Sequence, residues 1–63
     1  MSTYRLFFLD RQGHVRNSLA AEHMNDSDAR AWAQAQPRRE PAELWQADRI
    51  VERYAAQDAS DAS

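Results

Sequence analysis

Read for its alternation of apolar and polar positions, the chain divides into four stretches that can form regular structure, separated by turn and linker chemistry. The first, TYRLFFL from Thr3 to Leu9, is aromatic and apolar and is bounded by Asp10 and Gly13. A run this short and this rich in strand-forming residues predicts a strand. The segment DRQGHV follows. Asp10 suits the first position of a tight turn, because its carboxylate can accept nearby backbone N–H groups. Gly13, the only glycine in the chain, sits where a positive φ would close a three-residue hairpin loop. The returning strand, from His14 to about Glu22, alternates weakly: Val15, Leu19 and Ala21 share one parity, with Asn17 interrupting. The first strand carries apolar groups on both parities, Tyr4, Leu6 and Phe8 on one and Phe7 and Leu9 on the other. A sheet covered on one side needs only one apolar face, so a second covering is expected on the Phe7/Leu9 side. A second chain is the preferred source of it.

The third stretch, NDSDARAWAQAQ, predicts a helix. Asn25, Asp26 or Ser27 can cap it, and Asp26 and Asp28 lie at the positive end of the helix dipole. Ala29, Trp32, Ala33 and Gln36 repeat at helical spacing and form a stripe that can lie on a sheet. Pro37 ends the pattern, since proline neither donates to the ladder nor tolerates helix at the residue before it. PRREP is then a polar linker. At the other end, residues 55–63 (AAQDASDAS) offer little to bury and are expected to be a disordered tail beyond a single domain of residues 1–54.

The fourth stretch, ELWQADRIVERY from Glu43 to Tyr54, supports two folds. Wound as a helix from Pro41, it would place Leu44, Ala47, Val51 and Tyr54 on one stripe. As a hairpin it reads as two strand-prone runs around Ala47-Asp48, with Gln46 facing Arg49 and Trp45 facing Ile50. Ala47-Asp48 is a poor primed turn, lacking glycine or asparagine, and local physics leaves both folds open.

Length and composition narrow the function classes. Sixty-three residues make one small domain, and a core of this size stabilises little on its own, so oligomerisation is expected. The absence of cysteine leaves no disulfide or thiolate metal site and suits a reducing compartment. No signal-peptide pattern opens the chain, and its longest apolar run, Leu6 to Leu9, is far short of the ~20 residues that span a membrane. A soluble cytoplasmic protein is expected. All eight basic residues are arginine, set against ten acidic ones for a net charge of −2. With signs interspersed, this disfavours a nucleic-acid footprint.

Taken in order, Tyr4, LDRQGHV (Leu9 to Val15), NDSDA (Asn25 to Ala29) and ELWQADRIV (Glu43 to Val51) resemble the pattern of a family of short uncharacterised alphaproteobacterial proteins. The resemblance runs from Tyr4 to about Tyr54. Members of that family often carry glycine near position 47, which implies a hairpin there; Ala47 departs from the pattern. The resemblance implies an α+β fold in ββαββ order, one antiparallel-rich sheet with a helix on one face. It implies no activity.

Candidate chemistry is sparse. Asp10 and His14 flank the first turn and could pair for acid–base work, but with no nucleophile nearby the turn role is preferred. His23 and His14 fit no metal-ligand spacing, and no cofactor or metal is expected. Trp45 has two placements. Beneath the helix beside Trp32 it would complete a small core, which is the preferred placement; on the surface it would form a binding hot spot with Arg49. Phe7, Leu9, Trp45 and Arg49 are therefore the candidate interaction residues. The expected function is a non-catalytic module that binds itself, as a homodimer, or another protein. The alternative is a small-ligand or nucleic-acid binder using aromatics and arginines on the open sheet face.

Overall fold

The computed structural model describes residues 1–56. The elements are β1 (Ser2–Leu9), β2 (Val15–His23), α1 (Asp26–Gln34), β3 (Ala42–Gln46) and β4 (Arg49–Tyr54). They form an α+β fold in ββαββ order, with one sheet ordered β2-β1-β3-β4. All neighbouring strands are antiparallel. Both β2 and β3 flank β1, so they run parallel to each other, and the chain must travel back along the sheet to connect them. The helix makes that return journey, which is why it lies on one face. The disordered tail expected for 55–63 falls, from residue 57 onward, outside the described residues.

The first hairpin closes as its residues require. Gly13 has φ 86°, and its N–H donates to the Asp10 carbonyl at 3.0 Å while Asp10 N–H donates to the His14 carbonyl at 2.8 Å. Pairing then steps from Leu9–Val15 to Phe8–Asn17, leaving Arg16 as an extra residue. This bulge corrects the alternation read from the sequence. Leu19 and Ala21 lie opposite Leu6 and Tyr4, but Val15 lies opposite Leu9 on the other face, because one extra residue reverses the parity.

The helix starts at its cap. Asn25 is extended, and its side-chain oxygen accepts from Asp28 N–H at 2.8 Å, satisfying one of the free first-turn donors. Ala29 and Ala33 are fully buried, and Trp32 packs against the core from its edge. The small alanines bring the helix close to Tyr4, Leu6 and Phe8 of β1, Ala42 and Leu44 of β3 and Tyr54 of β4, which complete the core. Regular helix stops at Gln34 and a final turn reaches Gln36, whose N–H donates to the Ala33 carbonyl, before Pro37 interrupts.

The fourth stretch is a hairpin. Gln46 pairs with Arg49 and Trp45 with Ile50 across the two-residue loop Ala47-Asp48. Ala47 takes the positive φ, 57°, that glycine would adopt without strain. A second bulge follows: pairing passes from Leu44–Glu52 to Trp45–Ile50 and leaves Val51 extra. Val51 and Tyr54, three residues apart, can therefore both pack against the core. Without the bulge, strict alternation would send them to opposite faces.

The edge strand β2 has its own protection. Leu9 N–H donates to the Pro41 carbonyl on the β3 side, whereas Asp10 N–H reaches His14 on the β2 side. Alternation from there turns the backbone groups of Asn17, Leu19 and Ala21 toward β1 and those of Ser18, Ala20 and Glu22 outward. The outward Ser18 N–H is occupied by the Asn17 side chain at 2.9 Å. With the Arg16 bulge beside it, this half of the edge is blunted against strand addition.

Replacing Ala47 with glycine is expected to stabilise the fold by about 0.5–1 kcal/mol, the relief of a left-handed alanine less the added freedom of the unfolded chain. Urea unfolding followed by circular dichroism measures it; a loss of stability would contradict the strained turn.

Candidate functional site

The face opposite the helix is built by alternation. Along β1 the buried residues are Tyr4, Leu6 and Phe8, so Thr3, Arg5, Phe7 and Leu9 point the other way. Register carries the pattern across the sheet. Phe7 lies between Ser18 and Glu43, Arg5 between Ala20 and Trp45, and Trp45 opposite Ile50. Phe7, Leu9, Trp45 and Ile50 are all half-buried, and Val15, 58% exposed, extends them at the turn end.

Trp45 is thus on the open face, not beneath the helix beside Trp32. The reason is parity: Leu44 is fully buried under the helix, and its neighbour on the strand must face away. Trp32 instead packs against the His23 ring, with centroids 4.9 Å apart. His23 also meets Tyr4 edge-on at 5.9 Å, and its buried Nε2 has no protein partner among the described residues.

Trp45, Glu43 and Arg53 form a polar chain on the open face. Trp45 Nε1–H donates to Glu43 Oε1 at 3.0 Å, and Arg53 Nε lies 3.9 Å from Glu43 Oε2. Desolvating this patch therefore strands neither the indole N–H nor the carboxylate, a condition for favourable burial. Arg5, exposed beside Trp45, makes no ion pair among the described residues.

The structure brings Phe7, Leu9 and Trp45 together and places Arg49 elsewhere. Arg49 pairs with Gln46, one residue out of phase with Trp45, and so it faces the helix. There its guanidinium grips the Asp26 carboxylate with two hydrogen bonds of 3.1 Å and donates to Gln46 Oε1 at 2.6 Å. Tyr4 donates its hydroxyl to the same carboxylate at 2.7 Å. The fork geometry suits a carboxylate, and it ties the helix start to the β3–β4 turn and to β1. Arg49, then Tyr4, holds the Asp26 carboxyl below its ordinary value; the bond to Asp26 in turn raises the Tyr4 phenol. Asp26 was legible as a helix-start acid, but its pairing with Arg49, 23 residues away, has no periodic signal. Ile50 joins the patch as the cross-strand partner that the hairpin reading gave Trp45. Glu43 and Arg53, which were not among the candidates, join it because their register puts them on the same face.

Asp10 serves the turn. Its carboxylate accepts from Gln12 N–H and His14 N–H, both at 2.9 Å, and the bond from His14 N–H is the main cause that holds it below the usual carboxylate range. The His14 ring nitrogen is 3.9 Å away, too far for a hydrogen bond. No helix is long and apolar enough to cross a membrane among the described residues.

The Asp26 pairing generates a pH prediction. Its folded value is depressed, so its contribution is complete above the unfolded carboxylate value of about 3.9 and is lost as pH falls through the folded one. Asp26→Asn should therefore be less stable than the parent at neutral pH, with the difference shrinking toward about pH 2. Thermal melts across that range measure it, and a difference independent of pH would contradict the pairing. Compared with family models, curated proteins and solved structures, the chain has no match in any of the three.

Proposed function

We propose that this protein is a non-catalytic association module of the cytoplasm whose open sheet face pairs with a second copy of itself. The observation that carries the reading is the patch of Phe7, Leu9, Trp45 and Ile50 on the face the helix does not cover, with its indole N–H and Glu43 carboxylate already paired. An apolar patch with a satisfied polar frame is what an interface centre needs.

Charge supports a second copy as the partner. Glu22 lies opposite Thr3 and Glu43 opposite Phe7, so both glutamates share the open face with Arg5 and Arg53. Two positive and two negative groups make the face self-compatible, so like can meet like without net repulsion. The blunted half of the β2 edge weighs against joining of edges there and for stacking of faces. Four strands about 4.8 Å apart present a small surface, so the dimer is expected to be weak and concentration-dependent. The reading of a ligand or nucleic-acid binder on the open sheet face draws less support, since Arg49 faces the helix and pairs with Asp26, and Arg53 lies beside Glu43.

Sedimentation equilibrium of the parent chain is expected to show a monomer–dimer equilibrium in the micromolar to millimolar range, roughly −8 to −4 kcal/mol. Phe7→Glu, which sets a charge in the half-exposed patch while sparing the helix-covered core, should leave a folded monomer. A parent that stays monomeric at millimolar concentration, or a Phe7→Glu variant that dimerises equally well, would overturn the proposal.

A further inference from the structure

At the end of the sheet away from the Asp26–Arg49 pair, three segments meet around a cleft of about 750 Å³. The β1–β2 turn contributes Arg11, the β2 bulge contributes Arg16, and the linker before β3 contributes Arg39 with Glu40 and Pro41. The volume is within the range of small-molecule sites. Three arginines from three separate segments line it against two acids, Asp10 and Glu40, so the lining is net positive in a chain whose net charge is −2.

Each backbone that carries an arginine is pinned. The turn is held by the Asp10 carboxylate and by the Gly13–Asp10 and Asp10–His14 backbone bonds. The linker is held by Leu9 N–H on the Pro41 carbonyl. Arg38 adds to this: its Nη1 donates to the carbonyls of Glu40 at 2.9 Å and Ala55 at 2.7 Å, and its guanidinium stacks 5.3 Å from the Tyr54 ring centre. The bulge matters most for Arg16. As the extra residue it escapes strict alternation and turns toward Glu40, 3.8 Å away; bulges re-aim side chains in this way beside binding sites.

The two acids at the cleft are already occupied. Asp10 faces the turn N–H groups. Glu40 accepts from Arg39 N–H at 3.1 Å and meets Arg16, and backbone N–H groups, then Arg16 and Arg38, hold its carboxyl below the usual range. Arg11 and Arg39 have no ion pair among the described residues. The Arg16 contact is loose, with the side chain 62% exposed. Three donors are thus available to an incoming anion. A carboxylate offers one two-oxygen edge to an arginine fork, whereas a tetrahedral phosphate presents several such edges to arginines that converge from different segments.

We infer that the cleft between the β1–β2 turn and the linker is a phosphate-binding site in which Arg11, Arg16 and Arg39 hold a phosphate group, free or as a monoester. It is separate from the open sheet face, and neither site requires the other.

The test is an amide NMR titration of the whole chain at neutral pH with inorganic phosphate, methyl phosphate and acetate, each against sodium chloride at matched ionic strength. Phosphate is expected to give saturable shifts confined to Arg11, Gln12, Arg16, Arg39 and Glu40, with a dissociation constant on the order of 1–10 mM. Acetate should bind several-fold more weakly. Equal binding of methyl phosphate would identify a monoester end group as ligand, and binding of inorganic phosphate alone would identify the free ion; both support the site. Arg11→Ala with Arg39→Ala should weaken binding at least about tenfold, whereas Glu40→Gln, which frees Arg16 of its carboxylate, should tighten it. Shifts that are linear, reproduced by chloride, or unchanged in the arginine double variant would overturn the inference. So would weaker binding by Glu40→Gln with its fold intact.

Discussion

A nine-residue helix spans about 13 Å, enough to cover one face of a four-stranded sheet and nothing else. The consequences run through the whole chain. On the covered side, Ala29 and Ala33 allow the backbone to approach Leu6 and Leu44 until all four are fully buried. On the other side, the same strands carry Phe7, Leu9, Trp45 and Ile50 with none of the described residues above them. The molecule is stabilised by one face and left with an apolar second face.

Two devices keep the covered face in register. The Asp26 carboxylate takes both prongs of Arg49 and the Tyr4 hydroxyl, joining the helix start to the last turn and the central strand. The β4 bulge lets Val51 and Tyr54 serve the same core. Seven of the eight arginines fall into two sets. Arg16, Arg49 and Arg53 are matched to acids and Arg38 to carbonyls and a ring. Among the described residues, Arg5 on the open face and Arg11 and Arg39 at the cleft beside the β1–β2 turn have no ion pair.

Much of the architecture was legible in the chain itself because local chemistry carried it. Asp10 and Gly13 specify the first hairpin, Asn25 with the Ala29–Ala33 stripe specifies the helix, and Pro37 limits it. The last hairpin was harder, since Ala47 occupies a position that calls for glycine and the same residues also fit a helical stripe. A small core's need for large side chains favours Trp45 beneath the helix, but parity with the buried Leu44 sends it to the other face. Val15 shares the parity of Leu19 and Ala21, yet the bulge at Arg16, which leaves no mark in an alternation pattern, turns it to the other face. The Asp26–Arg49 pair and the Arg11–Arg16–Arg39 cleft depend on contacts between distant segments, and residue type alone does not announce them.

The central claim is that a second copy covers the open face. Solvent paramagnetic relaxation of side-chain protons, compared between dilute and concentrated samples, addresses it most directly. Concentration should protect Phe7, Leu9, Trp45 and Ile50 while leaving Arg30 and Ala31 on the helix and Leu19 on the helix side of β2 unchanged. Protection centred on the helix or on β2, or no change at any site, would contradict the account.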